Sequence, residues 1–241
     1  MDKYMDKYII IEDGYNTNYI SVLLTSLFYV SSNIYNNMLN DNPKDIRSIY
    51  IQELIKSNFM STLNKYAIIT SESINELRNY LYFNGWNSET SDKLLDAHKI
   101  EHFYTFLSNK LLGSLEMITL PIAENAEETN IRDLFMKWNT GGNSMKMPSN
   151  VFAFFLDRQN KTRTKIDIYR KFRIDENSFD KWQIHTVICL NDHYYSILKT
   201  DNKWLMLDCN RIPSLVEIDV MTPELINKIK SECVLVFYRK V

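Results

Sequence analysis

Four histidines and three cysteines carry the most versatile chemistry in this 241-residue sequence, and their spacing limits what that chemistry could be. Cys189, Cys209 and Cys233 are far apart, and no C-x-x-C occurs, which excludes a zinc ribbon. A small, odd number of thiols suits a reducing compartment better than a disulfide framework, so an intracellular, cytoplasmic location is expected. His98 and His102 stand four residues apart and could share a helix face, but neither an H-E-x-x-H pattern nor a third ligand accompanies them. His185 shows no ligand pattern either, and neither a metal nor a cofactor is expected.

The elements that must position these residues are legible from periodicity. In "GYNTNYISVLLTSLFYV" (Gly14–Val30) a polar Asn16-Thr17 lead-in is followed by Ile20, Leu23, Leu24, Leu27 and Phe28 at helical spacing. "DIRSIYIQELIKSNFMSTLNKYA", "SINELRNYLYFNGW" and "DAHKIEHFYTFLSNKLLG" read as further helices, the last closed by Gly113. After Gly113 the texture changes. "LEMITLPI" is strand-like, "NIRDLFMKW" is a short helix, and "TGGNSMKMPS" is a loop. From Val151 short strands dominate: "VFAFFLD", "TKIDIYRKFRI", "HTVICLN", "HYYSILKT", "KWLMLDC" and "CVLVFYRK", with a helix over Thr222–Glu232 entered at Pro223. Helices first and strands second argue for an α+β fold. A single domain over 1–241 is expected, with a helical subdomain of about 14–113 packed on an antiparallel sheet in a sheet-rich subdomain of about 114–241.

Composition narrows the partners. Hydrophobic residues make up 45% and charged residues 24%, which is globular. The net charge of −2 offers no strongly basic field, so neither nucleic acid nor an acidic membrane is expected as a partner. "MDKYMDKYIII" has acidic residues and no long apolar run, so a signal peptide is not expected there. No stretch reaches the roughly 18 apolar residues of a membrane span. The tandem "MDKY" carries no functional weight. Heavy use of Asn, Ile, Lys and Tyr fits an AT-rich genome, of which a large DNA virus is one source; a virion-associated protein is consistent with that bias.

The order of segments resembles the ubiquitin-specific proteases, the papain-like deubiquitinases. That family's cysteine box reads roughly N-x-G-N-T-C-Y-x-N-S-x-L-Q-x-L-F, and "DGYNTNYISVLLTSLF" matches it at Asn16, Thr17, Tyr19, Leu24, Leu27 and Phe28. "EHFYTFLSNKL" resembles the second helix motif, "MPSNVFAFFLDR" and "TKIDIYRKFRI" resemble the next two strand motifs, and "HTVICLNDHYYSILKTDNKWLMLDC" resembles the histidine box. "ECVLVFYRK" is similar to the closing strand. The likeness runs along nearly the whole chain and implies a papain-like fold.

Carried over position by position, the resemblance places the nucleophile on Asn18, the histidine on His193, the acid on Asp208 and the oxyanion donor on Asp13. The fifteen residues between His193 and Asp208 suit two adjacent antiparallel strands with facing side chains, and such a pair is either a hydrogen-bonded lock between strands or the surviving half of an acid–base device. A carboxamide nitrogen is delocalised into its carbonyl and forms no acyl-enzyme. In a triad that works as a unit, loss of the nucleophile alone removes on the order of 10⁶ in rate. An ionised Asp13 would repel a developing oxyanion rather than hold it. Tyr15 replaces a family glycine, Asp192 replaces the glycine before the histidine, and the loop before His193 shrinks to "LND". The family's ubiquitin-gripping insertion is missing, because the flanking segments abut at Gly113–Leu115. The expectation is a catalytically inactive pseudoenzyme with a structural or protein-interaction role, its protein partners unidentified and its ubiquitin binding doubtful. Two rivals stand. One is a non-catalytic binder of ubiquitin or a ubiquitin-like protein. The other is a thiol protease rescued by Cys209; alternation along a strand argues against it, since Cys209 should face away from Asp208. Asn18 itself has a simpler reading as a helix N-cap, and also one as a partner contact.

Overall fold

The computed structural model describes residues 8–29, 38–40, 45–86, 96–111, 117–123, 126–143, 151–158, 164–173, 181–200 and 203–241. Helix α1 (Asn18–Leu24) runs on through a π-helical turn at Thr25–Tyr29, and every residue from Tyr19 to Tyr29 is buried. The second predicted helix is three pieces: α2 (Ile46–Leu54), a π-helical segment (Ile55–Ser61) and α3 (Thr62–Tyr66). It stops at Ala67, whose φ of 59° is left-handed. Helices α4 (Ser71–Phe83) and α5 (Asp96–Leu111) complete the first half. Side chains start these helices: Asp45 caps α2 through the N–H groups of Arg47 and Ser48, and Thr70 caps α4 through Ser73. The predicted cap at Gly113 and the junction at Gly113–Leu115 lie outside the described residues.

The second half builds a sheet in the order β11–β10–β9–β8–β12–β5–β3, with β7 also beside β8. The strands are β3 (Met117–Pro121), β5 (Val151–Asp157), β7 (Lys171–Phe172), β8 (Trp182–Leu190), β9 (Tyr194–Lys199), β10 (Trp204–Leu207), β11 (Leu215–Ile218) and β12 (Cys233–Lys240). The expectation of an antiparallel sheet needs correction, because β3 pairs parallel to β5. Helix α6 (Ile131–Thr140) lies between them, and such a crossover returns the chain in the same direction. Two short parallel pairs also escaped the sequence reading: β1 (Ile10–Ile11) with β2 (Ile68–Ile69), and β4 (Glu128–Asn130) with β6 (Lys165–Asp167). The predicted strand over "TKIDIYRKFRI" is thus broken into β6 and β7.

The continuous apolar runs in β5 and β12 are explained by a sheet covered on both faces. Along β5, Val151, Ala153 and Phe155 join the core under the first-half helices, while Phe152, Phe154 and Leu156 join a second core. Helices α6 and α7 (Pro223–Glu232) cover that second face with Ile131, Leu134, Phe135 and Ile229. The chain is α+β with a mixed sheet. At the end of β5, the buried Arg158 guanidinium donates to three carbonyls, those of Cys233, Thr164 and Lys230, at 2.8 Å each. Two of them belong to the C-terminal end of α7, so one side chain ties that helix to the sheet.

Candidate functional site

The loop before α1 is held from outside by α4. Asn75 accepts the Tyr15 N–H at 2.8 Å, and a Cβ on Gly14 would come within 2.4 Å of the same amide oxygen, so a larger residue at 14 would push the Asn75 side chain out of this bond. Arg78 donates to the Tyr15 carbonyl and lies over its ring at 5.6 Å. The Tyr15 side chain is 77% exposed. Asn16 takes a left-handed φ of 54°, and Thr17 accepts the Gly14 N–H at 2.8 Å. Thr17, not Asn18, occupies the N-cap position, and its hydroxyl makes no cap bond. The N-cap reading of Asn18 is therefore incorrect: Asn18 is the first residue of α1, and its side chain is used elsewhere.

The opposite wall comes from the sheet. His193 lies in the three-residue turn between β8 and β9, and Asp208 lies one residue past β10, so the two sit at strand ends rather than within facing strands. They meet all the same: His193 Nε2 is 2.9 Å from Asp208 Oδ1. The same carboxylate accepts the Asn210 N–H at 3.0 Å, and its Oδ2 lies 3.2 Å from Arg211 Nε. Arg211, which the sequence reading passed over, was signalled only by its place three residues after Asp208.

Asn18 joins the walls. Its Nδ2 donates to Asp13 Oδ2 at 2.9 Å, and its Oδ1 accepts the N–H of Tyr194, the residue after His193, at 2.5 Å. Asp13 and Asn18 are thus not separate departures from a protease site. The amide requires an acceptor, the carboxylate requires a donor, and each supplies the other. Burial pushes the Asp13 carboxyl above its ordinary range, with the Asn18 bond and the nearby His193 pulling the other way. A raised native value means that the folded state holds the Asp13 proton more tightly than the unfolded chain does. Stability linked to Asp13 is therefore present at low pH and is lost as pH rises from 3.8 through the raised native value. Asp13→Asn is expected to remove this component. The difference in unfolding free energy between the variant and the natural chain, followed by urea titration from pH 4 upward, should then move in the variant's favour; a difference that is flat with pH would refute it.

Cys209 also belongs to this cluster, against expectation. The chain has left β10 at Leu207, so strand alternation no longer governs residues 208 and 209. The thiol is buried near both Asp13 and Asp208, and burial together with the two carboxylates drives its pKa well up. An activated thiol needs the reverse, an electropositive and accessible setting. Cys189 and Cys233 are fully buried cross-strand partners, with pKa values raised by burial. Among the described residues no group of three or more His, Cys, Asp or Glu side chains is placed to hold a metal ion. His98 is taken up by Glu101 at 3.1 Å and approaches Asp157 at 3.6 Å. Among the described residues no helix is long and apolar enough to cross a membrane.

No family model matches the sequence, and no curated protein matches it. Solved structures do match in fold. An essential yeast splicing factor superposes with a TM-score of 0.64 at 13% identity, over 97% of this chain and 69% of that one. The pseudoubiquitin hydrolase–RNA exonuclease module of Saccharomyces cerevisiae Pan2, in complex with AAUUAA RNA, gives 0.62 at 10% identity, over 97% and 53%. The same module on its own gives 0.58 at 14%, over 97% and 55%. This chain spans about half the length of the Pan2 module. At such identities the likeness is one of fold alone.

Proposed function

We propose that the chain is a catalytically inactive relative of the ubiquitin-specific proteases, working as one domain over 1–241 through protein contacts within a larger assembly. The observation that carries this is the Asn18 carboxamide. It stands where the resemblance puts the nucleophile, and both its ends are spent on structural bonds, to Asp13 and to the Tyr194 N–H. His193 and Asp208 keep each other's company as a lock between strand ends, with Arg211 neutralising the carboxylate. Likeness in fold to the Pan2 pseudoubiquitin hydrolase–RNA exonuclease module supports the reading.

The test is incubation of the natural chain with a ubiquitin carrying an electrophilic C-terminus, followed by intact mass measurement, alongside cleavage of a fluorogenic ubiquitin substrate. No adduct and no turnover are expected. An adduct on Cys209 would defeat the proposal in favour of a rescued thiol protease. Calorimetric binding of ubiquitin at micromolar strength would change the role from scaffold to ubiquitin reader. Affinity purification from the native source should recover a partner at near-stoichiometric ratio.

A further inference from the structure

The net charge of −2 conceals a local concentration of the opposite sign. The segment Tyr169–Arg173 carries Arg170, Lys171 and Arg173, all exposed, beside Tyr169 at 42% exposure. It is fixed to the sheet rather than loose: the Tyr169 carbonyl accepts the Tyr238 hydroxyl at 2.8 Å, the Arg170 carbonyl accepts the Ile184 N–H at 3.0 Å, and Lys171 pairs with Gln183. Beside it, the β9–β10 hairpin sets Trp204 opposite Lys199. The Lys199 ammonium lies 5.3 Å and the Arg170 guanidinium 5.7 Å from the centre of the Trp204 ring. Lys203 is neutralised by Glu217 at 2.9 Å, whereas among the described residues no carboxylate forms an ion pair with Arg170, Lys171 or Arg173.

Arg170, Lys171 and Arg173, which form no ion pair among the described residues, stand beside a half-buried indole and suit a ligand that offers both negative charge and a flat π-face. An acidic peptide without aromatic residues offers only the first. We infer that this end of the sheet binds single-stranded nucleic acid, with a base against Trp204 and phosphates on Arg170, Lys171 and Arg173. The sequence reading expected no such partner because a summed charge cannot register segregation. The inference is independent of the Asn18 site, which lies around the other strand ends, and stands or falls separately from it.

Fluorescence polarisation of a labelled oligouridylate of about eight nucleotides, a length within single-strand site sizes, tests it. Saturable binding is expected, with a log–log salt slope of about −2 for three phosphates. Trp204→Ala should weaken it about five- to a hundredfold by loss of stacking, and Trp204→Phe should restore most of the affinity. The triple change Arg170→Ala, Lys171→Ala, Arg173→Ala sits on exposed side chains, so it should leave the circular dichroism unchanged while flattening the salt slope. Absence of binding at about 100 µM protein, where even non-specific complexes form, would overturn the inference. So would affinity indifferent to these variants, or competition by polyglutamate equal to that by unlabelled oligouridylate, which would assign the surface to acidic proteins.

Discussion

Replacing Arg158 with methionine is expected to lower the unfolding free energy by about 3–4 kcal/mol. Methionine keeps most of the aliphatic stem and removes the donors, so the loss isolates the hydrogen bonds. Three carbonyls, of Thr164, Lys230 and Cys233, would lose their partner in a buried setting. Each hydrogen bond to a charged group contributes about 1.5–3 kcal/mol, and carbonyls retain a second lone pair that limits the penalty. The guanidinium also meets the negative end of the α7 dipole, which a neutral side chain does not. Arg158→Lys should fall between, since an ammonium keeps the charge but lacks the planar fork that reaches three acceptors at once. For a chain of this size the methionine variant should melt about 6–15 °C lower. A loss under about 1 kcal/mol by urea titration, with an unchanged denaturant slope, would show that the α7 end is held by packing alone.

The importance of Arg158 was not visible in the sequence, where it is one polar letter after an apolar strand. Its partners lie 6, 72 and 75 residues away. By contrast, the caps at Asp45 and Thr70 are local, because a capping side chain and the N–H groups that donate to it are within three residues of each other. The same distinction separates what was and was not legible at the candidate site. The meeting of His193 with Asp208 was anticipated from the resemblance, which places a histidine and an acid there, at a separation that suits a strand pair. Their exact seats, in a turn and beyond a strand end, were not, because periodicity marks strands but not their last residue. Strand alternation consequently misplaced Cys209. Parallel pairing of β3 with β5 was missed for another reason: strand pattern is nearly the same in both directions, and the direction is set by the intervening α6. The pairing of Asp13 with Asn18 spans only five residues, yet each was read against a protease template instead of against the other.

That pairing yields the second large effect: Asn18→Cys is expected to cost about 2–3 kcal/mol of stability and to return no protease activity. The variant strands two groups at once. The Tyr194 N–H loses its acceptor, and the Asp13 carboxylate, already disfavoured by burial, loses its donor. An unsatisfied, partly buried donor costs about 1–3 kcal/mol, and a bond to a charged group is in the same range. Asp13→Asn added to Asn18→Cys removes the stranded charge, so the double variant should be less damaged than the two single losses combined, with a coupling of about 0.5–3 kcal/mol. The chemistry fails for a related reason. Cys209 already shows what a thiol beside Asp13 experiences, a pKa driven up by burial and carboxylates. The introduced thiol would stand next to the same group, protonated and poorly nucleophilic, with no donor at position 13 to hold an oxyanion. An electrophilic ubiquitin should leave the single variant unmodified over hours. Rapid labelling of that variant, with its stability unchanged, would mean that the Asp13–Asn18–Tyr194 bridge neither holds the walls together nor blocks the site, and that a single substitution separates this chain from a working protease.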